Sequence, residues 1–366
     1  MDQEKAIIGF IGAGGIARSH AYSLNSLKYF YNDAPLIEME AVCSASIESR
    51  KSFAGNYGFN KYPDIDEFVS DKRLNTVFIL GPNKVHYEHL KKVISMPDVK
   101  KIYLEKPVCS NLDEENAISG LIKKHPDTKI QVGFQFLFAA TIREILGLWR
   151  SGKLGRPVHF DLKYYHSDYL RKEYRDKRAS RLTPAPDGGA MADLGSHSIS
   201  LLIAFLGNNL RITSALQSGD FVDVPSDSDL FSLISLYDVS SGAVGTISAS
   251  RISSGTGDHF FFELYAERGA FRYSSASPDS FEYFTEESGT WTRQTVGSNF
   301  KPYTNFPSGH VPAGWLRSMI HAHYVFLTGK NHNEFVPDIK HGLEVQRLVT
   351  QTAENLKVFR KLTSGS

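Results

Sequence analysis

Two short stretches of this 366-residue sequence carry side chains that could move a proton. In "IYLEKPVCSN", Glu105-Lys106-Pro107 closes an apolar run that reads as a strand. A lysine at a strand's carboxyl end costs free energy unless it is used, because desolvation disfavours its charged form. Pro107 restricts Lys106 to extended conformations and is a candidate for a cis bond, so the ammonium can be aimed reproducibly. In "MADLGSHSISLL", Asp193 and His197 stand four apart, which on a helix means one shared face. An imidazole beside a carboxylate is a recurrent proton-transfer arrangement. The same spacing could supply two metal ligands, but no third is evident nearby, so no metal is expected. Each stretch also has a bland reading: a lysine snorkelling to water, and a core histidine with a helix-capping aspartate. Without Lys106, the bland reading of Asp193 and His197 would be the better one.

A binding turn for the substrate's partner stands at the front of the chain. In "IIGFIGAGGIARSH", Gly12, Gly14 and Gly15 lie between a strand and a helix start, with Ala13 and Ile16 among them. Glycines there let the backbone turn sharply and let a diphosphate approach the peptide N–H groups, helped by the partial positive charge of the helix N-terminus. The spacing Gly12-x-Gly14-x-x-Ala17 fits the dinucleotide fingerprint in its strand–turn–helix context, so NAD(P) is the expected cofactor. The second strand ends "AVCSAS", placing Ser44 and Ser46 where a ribose-reading carboxylate would suit NAD, with Arg50 and Lys51 just beyond. Hydroxyls plus a guanidinium make a seat for a 2′-phosphate, which favours NADP(H) over NAD(H). Glu48 could still reach a ribose, and Arg50 and Lys51 also read as a solvated helix face. Gly81-Pro82-Asn83 follows the third strand and faces the ligand crevice of such a sheet, where Asn83 could bond the cofactor and His86 could begin a helix. Taken alone, His86 and His89 more often decorate a helix. Beside an oxidised nicotinamide, Lys106 would have its pKa pushed down towards a value useful for proton transfer.

The elements that must position these groups follow from periodicity. "AIIGFIG", "IEMEAVCSAS", "TVFILG", "KKIYLEKP" and "KIQVGFQF" read as strands. Helix-length segments such as "IARSHAYSLNSL", "SRKSFAGNYG" ending at Gly58, "DIDEFVS", "HYEHLKKVIS" and "EENAISGLIKKH" separate them. That alternation predicts an α/β fold with a doubly wound parallel Rossmann sheet over residues 1–138. Beyond it, "VHFDLKYYH", "LRITSALQSG", "LFSLISLYDV", "AVGTISASRI", "FFFELYAE" and "AFRYSSA" are β-rich, with hairpin residues in "DVSSGAVG" and "ERGAF". Residues 139–366 are therefore expected to form an α+β domain with a large, mostly antiparallel open sheet. A helix within "PDGGAMADLGSHSISLLIAFLG", closed by Gly207, interrupts it, and a last helix in "GLEVQRLVTQTAENLKVFRKL" could pack back on the first domain.

Composition excludes several classes. The net charge of +1 implies no polyanion-binding surface, so no nucleic acid is expected, although the balance leaves room for a local basic patch. Two cysteines, Cys43 and Cys109, do not support a disulfide-stapled secreted fold. No signal-like or membrane-spanning run is read, and a reduced, cytoplasmic setting is the expectation.

Taken in order, the glycine turn, Gly81-Pro82-Asn83 with His86, Glu-Lys-Pro and "GGAMADLGSH", together with "GKLGRPVHF", resemble the glucose–fructose oxidoreductase/inositol dehydrogenase (Gfo/Idh/MocA) family. The resemblance spans both domains and is strongest over residues 7–207. It implies hydride transfer at a carbinol or keto carbon of a sugar, polyol or related carbohydrate, in a homo-oligomer (dimer or tetramer). It further implies that Lys106 binds the reacting oxygen and relays protons, that His197 is a general acid/base, and that Asp193 orients the others and holds a substrate hydroxyl. Glu105 and Gln135 match positions near the cofactor. Gly81 replaces a frequent Thr, Leu137 a frequent Arg and Ser200 a frequent Asp, and the last two put the exact sugar in doubt. Tyr164, Tyr165 and His166 are candidate pocket-lining residues, since sugars stack on aromatics, although alternating strand faces keep all three from pointing inward. Tyr165 and His166 are taken with Lys106, Asp193 and His197 as the substrate set; Trp315 and His310 are weaker candidates. The rival readings are a non-catalytic sugar or dinucleotide sensor of the same fold, and an enzyme that recycles tightly bound NAD(P).

Overall fold

The computed structural model describes residues 5–179, 182, 188–219, 224, 228–296 and 314–363, with backbone alone at 314–316 and 356–363. His310 and the side chain of Trp315 lie outside the described residues. The chain divides into two compact units. The first takes in the described residues of Met1–Cys109, Asp113–Ala139 and Ser298–Gly342; the second those of Ser110–Leu112, Ala140–Gly297 and Leu343–Ser366.

In the first unit, β1 (Ala6–Ile11), β2 (Ile37–Cys43), β3 (Thr76–Ile79), β4 (Lys101–Leu104) and β5 (Lys129–Val132) form one sheet in the order β2-β1-β3-β4-β5. Every neighbouring pair is parallel. Helices α1 (Gly15–Phe30), α2 (Ile47–Tyr57), α3 (Ile65–Ser70), α4 (His86–Ile94) and α5 (Leu112–Lys124) make the crossovers. Continuous apolar runs suit strands covered on both faces: Val77, Phe78, Ile79, Ile102, Tyr103 and Leu104 are all fully buried. Strand order reverses between β1 and β3, and ligands bind at that switch point in open α/β sheets. The strand expected through "KIQVGFQF" stops at Val132, and Gln135–Phe138 turns into a short 3-10 helix. Helix α9, Gly314–Thr328, was not foreseen; it returns to this unit and packs on α1.

The second unit is built on an eight-stranded sheet. Its strands are β6 (Pro157–Tyr165), β7 (Leu210–Ser218), β8 (Phe231–Asp238), β9 (Val244–Ser250), β10 (His259–Ala266), β11 (Gly269–Ser274), β12 (Ser280–Thr285) and β13 (Trp291–Thr295). The order is β13-β12-β11-β10-β6-β9-β8-β7, antiparallel throughout except where β6 and β9 run parallel. Alternation sets the faces: Phe160, Leu162 and Tyr164 of β6 are buried while Asp161, Lys163 and Tyr165 are half-exposed. Helices α6 (Ala140–Arg150) and α8 (Ser196–Leu206) belong to the same unit, as does the short α7 (Lys172–Lys177). Trp149 of α6 donates its indole N–H to the Phe205 carbonyl at 2.8 Å, and the Phe205 ring meets Phe262 of the sheet at 4.9 Å. Burial of Ile199, Leu201 and Leu202 on α8 contributes about 2 kcal/mol each. Gly207 closes α8 at φ +90, as its position after the apolar run predicts. The last helix, α10, spans Ile339–Thr363.

Candidate functional site

The chemistry-bearing residues fall into two groups, one in each unit. In the first, β1 delivers the chain to Gly12, whose φ of +124 favours glycine. A Cβ there would lie 2.8 Å from the Leu80 carbonyl carbon and oxygen, so the turns after β1 and β3 can touch only because it has none. Gly14 is the N-cap of α1, offers no side-chain hydrogen bond, and no acid occupies the first turn. The leading N–H groups of a 16-residue helix are thus left to an outside acceptor. Gly14 and Gly15 have open space where a Cβ would stand, Ala13 and Ile16 are half-exposed beside them, and Ala17 is fully buried against the sheet. This is the fit a dinucleotide diphosphate requires.

At the end of β2, Ser46 caps α2 by accepting the Ser49 N–H at 3.2 Å and donates its hydroxyl to Glu48 at 2.8 Å. Ser44 donates to the Ser46 carbonyl at 3.1 Å. Arg50 donates to the Ser44 carbonyl at 2.9 Å and to the Tyr62 carbonyl at 3.0 Å, which pins its guanidinium at the strand end. After β3, Gly81 and Pro82 lead into a 3-10 turn at Asn83, whose amide lies 3.5 Å from the Cys109 carbonyl. His86 does not decorate its helix. It is fully buried, with Nδ1 2.8 Å from the Pro107 carbonyl and Nε2 2.8 Å from the Gly81 carbonyl. Burial pulls its pKa below the ordinary histidine value, against the upward pull of those two carbonyls. The ring clips the loop after β3 to the loop after β4.

Lys106 stands two residues past the end of β4, half-exposed, and its peptide bond to Pro107 is cis. Its backbone N–H donates to the Glu105 carboxylate at 3.1 Å, and Glu105 is buried. The Glu105 carboxylate also lies 2.9 Å from His20 Nε2. Gln135 is buried in the turn that follows β5.

In the second unit, the helix bearing Asp193 and His197 departs from the expected uniform α-helix. Met191–Gly195 forms a π-turn, continued by α8. Such single wide turns cluster at functional positions. Buried Asp229 anchors it: its carboxylate accepts the Met191 N–H at 3.0 Å and the Ser232 hydroxyl at 2.7 Å, and its carbonyl accepts the Ala190 N–H at 2.9 Å. Desolvation pushes the Asp229 pKa up, against those donors. Gly189 and Gly195 lack the Cβ that would strike Asp229 and the Met191 sulfur.

Asp193 is partly exposed and bonds to Arg251 at 2.9 Å. Arg251 is fully buried, with its guanidinium 4.6 Å from the Tyr169 ring centroid. His197 is buried, 5.8 Å from the Tyr164 ring. Tyr164 donates to Asp258 at 3.2 Å, and burial, with Asp258 and Asp193 nearby, raises its pKa well above the ordinary tyrosine value. His166 stands beside this group, buried, with its pKa lowered by desolvation against the pull of Asp193. Tyr165 is on the opposite face of β6, bonded through its hydroxyl to Ser248 at 2.6 Å. Of the candidate aromatics, Tyr164 is thus the one beside His197, and Tyr165 points to the other face, because adjacent strand residues point apart. Leu137 and Ser200, the positions that depart from the family pattern, are both buried.

Arg251 and Asp229 were missed by the sequence reading, and no spacing links them to Asp193. The available signal was a cation directly after a strand of small and apolar residues, in "AVGTISASR". Arg251→Met removes the cation that faces Asp193. Taking one partner from a buried pair costs 3–5 kcal/mol, reduced here to about 2 kcal/mol because water reaches the carboxylate. The melting temperature should fall by about 4–8 °C. A carboxylate without its cation titrates higher, so the acid limb of any pH–rate profile should move up, and Arg251→Lys should bring it back.

Among the described residues, no group of three or more His, Cys, Asp or Glu side chains could hold a metal ion, and no helix is long and apolar enough to cross a membrane. Residues 7–134 match the family model described as an oxidoreductase family with an NAD-binding Rossmann fold, and residues 142–272 match the C-terminal domain of the same family. The chain is 23% identical over 283 residues to glucose-6-phosphate 3-dehydrogenase of Bacillus subtilis, covering 75% of this chain and 76% of that one. It is 22% identical over 303 residues to levoglucosan dehydrogenase of Pseudarthrobacter phenanthrenivorans, covering 75% of each. A solved levoglucosan dehydrogenase in complex with NADH and levoglucosan superposes with a TM-score of 0.86 at 19% identity, over 96% of this chain and 97% of that one. Two consecutive family models together take in well over half of the sequence, and the chain belongs to the Gfo/Idh/MocA family of NAD(P)-dependent oxidoreductases.

Proposed function

We propose that this protein transfers hydride between a nicotinamide cofactor and a carbinol or keto carbon of a sugar, polyol or related carbohydrate. The observation that carries the reading is the order of the first sheet. The glycine turn after β1, the Gly-Pro-Asn loop after β3 and Lys106 after β4 end three adjacent strands at one end of the sheet. The glycine turn with the start of α1 would hold the diphosphate, and Asn83, Glu105 and Gln135 would border the ring. When bound, the nicotinamide supplies or accepts the hydride. Lys106 would bind the reacting oxygen and carry its proton, with His197 as the second acid/base and Asp193 holding a substrate hydroxyl. The ion pair with Arg251 supports that role by keeping Asp193 charged and in one orientation. A homo-oligomer in a reduced compartment completes the proposal.

NADP(H) is the proposed preference. No carboxylate stands at Ser44-Ala45-Ser46, and Arg50 is tethered at the same strand end; Glu48 is engaged by Ser46. The test follows absorbance at 340 nm with both cofactors against a panel that includes glucose 6-phosphate, levoglucosan and scyllo-inositol. Turnover with a panel member, faster with NADP, is expected. Arg50→Ala should lower kcat/KM for NADP about tenfold, or about 1.4 kcal/mol, and leave NAD within twofold. Equal losses with both cofactors would remove Arg50 from phosphate recognition. Absence of turnover together with absence of cofactor binding would overturn the enzymatic reading.

A further inference from the structure

Beneath the Lys106 backbone, three side chains from distant parts of the sequence form a buried hydrogen-bonded chain. Glu105 accepts the Lys106 N–H at 3.1 Å through one carboxylate oxygen, and its other oxygen lies 2.9 Å from His20 Nε2. His20 Nδ1 lies 2.8 Å from His323 Nε2 on α9. Both imidazoles are fully buried, and Glu105 is 5% exposed. Their walls are aromatic: Tyr103 lies 5.1 Å from His20, and Phe78 lies 5.3 Å from His323. Gly133 leaves room for the carboxylate, since a Cβ there would stand 2.6 Å from Glu105 Oε1.

The chain has a direction. A carboxylate only accepts, so His20 donates from Nε2. His323 Nδ1 has no hydrogen-bond partner among the described residues, and a buried N–H without an acceptor is rarer than a bare lone pair. The His323 proton therefore sits on Nε2 and is given to His20 Nδ1. Burial holds the His323 pKa down, so that ring carries a single proton; since His20 Nδ1 accepts it and His20 Nε2 donates, both N–H groups point towards Glu105.

We propose that His323 and His20 are positioning residues for Lys106: two imidazoles in series hold the Glu105 carboxylate in one orientation, and Glu105 holds the Lys106 backbone from which the reactive amine projects. This rests on the reading that Lys106 handles the reacting proton. Nothing in the glycine fingerprint or the Glu-Lys-Pro motif points to a histidine more than two hundred residues further on; α9 brings it there.

The test compares His323→Leu, which fills the space without a donor, with His323→Gln, which keeps an N–H near the same place. Each is assayed with the panel carbohydrate that gives turnover, alongside Lys106→Ala. His323→Leu should fold and bind NADPH within twofold of the parent, yet lose about ten- to a hundredfold in kcat, the scale expected when a reacting group is displaced from afar. His323→Gln should recover to within about threefold. Parent-like kcat in the Leu variant, or equal loss in a folded Gln variant, would overturn the proposal. If Lys106→Ala keeps its turnover, the underlying reading fails instead. Nitrogen-15 NMR of histidine-labelled parent protein gives an answer without activity: His20 should appear as the Nε2–H tautomer, and an Nδ1–H or doubly protonated ring would overturn the assignment.

Discussion

Lys106→Ala should lower kcat by about three orders of magnitude or more while cofactor affinity changes by less than threefold. Lys106 stands just past β4, at the end of the sheet where the β1 and β3 loops also emerge, and truncating a half-exposed side chain removes the amine without opening a core cavity. Stability should stay within about 0.5 kcal/mol of the parent, as for surface substitutions away from packing. The turnover loss combines two effects. General acid–base assistance contributes about 10²–10⁴-fold, and orienting the reacting oxygen adds to it. Lys106→Arg should not rescue, because a guanidinium keeps its proton through the working pH range and presents a planar fork instead of a point donor. Steady-state kinetics at saturating cofactor, a melting curve and a nucleotide-fluorescence titration separate these effects. Turnover within fivefold of the parent would take the lysine out of the mechanism.

The second large effect is expected at Gly12. Alanine there must adopt φ near +124 and push its Cβ against the Leu80 carbonyl, a backbone neighbour that has no rotamer with which to yield. The unfavourable backbone region costs about 1–2 kcal/mol and the overpacking a similar amount, so Gly12→Ala should destabilise by about 3 kcal/mol and abolish measurable cofactor binding. Gly14→Ala and Gly15→Ala supply the contrast. Neither Cβ would meet anything within 4 Å, so both variants should melt like the parent and lose affinity only through crowding of the diphosphate. A Gly12 variant that melts normally and binds cofactor would show that the turn can relax, and the close approach of the two loops would lose its meaning.

Much of this was legible along the chain. The strands and helices of the first sheet follow local apolar periodicity, and the glycine turn, the Lys106–Pro107 bond and the closure of α8 at Gly207 depend on stereochemistry within a few residues. The strands β12 and β13 were not read, because β13 is exposed along its whole length and carries no apolar alternation. Helix α9 was not read either. Its buried Arg317, Ser318, His321 and His323 break the apolar stripe by which a helix is recognised, and each becomes tolerable only once partners are in place. His321, for example, lies 2.8 Å from the Tyr31 hydroxyl and 3.0 Å from Glu334.

Residue order alone singled out the glycine turn proposed to receive a diphosphate and the lysine, aspartate and histidine proposed to act, since those rest on turn geometry and short spacings. Tertiary structure decided what surrounds them: Tyr164 beside His197, Arg251 against Asp193, Asp229 under the π-turn, and His20 with His323 behind Glu105. The reason is physical. A buried charge or imidazole is stable only with a partner of fixed geometry, and that partner can come from any distance along the chain, so no local pattern announces it.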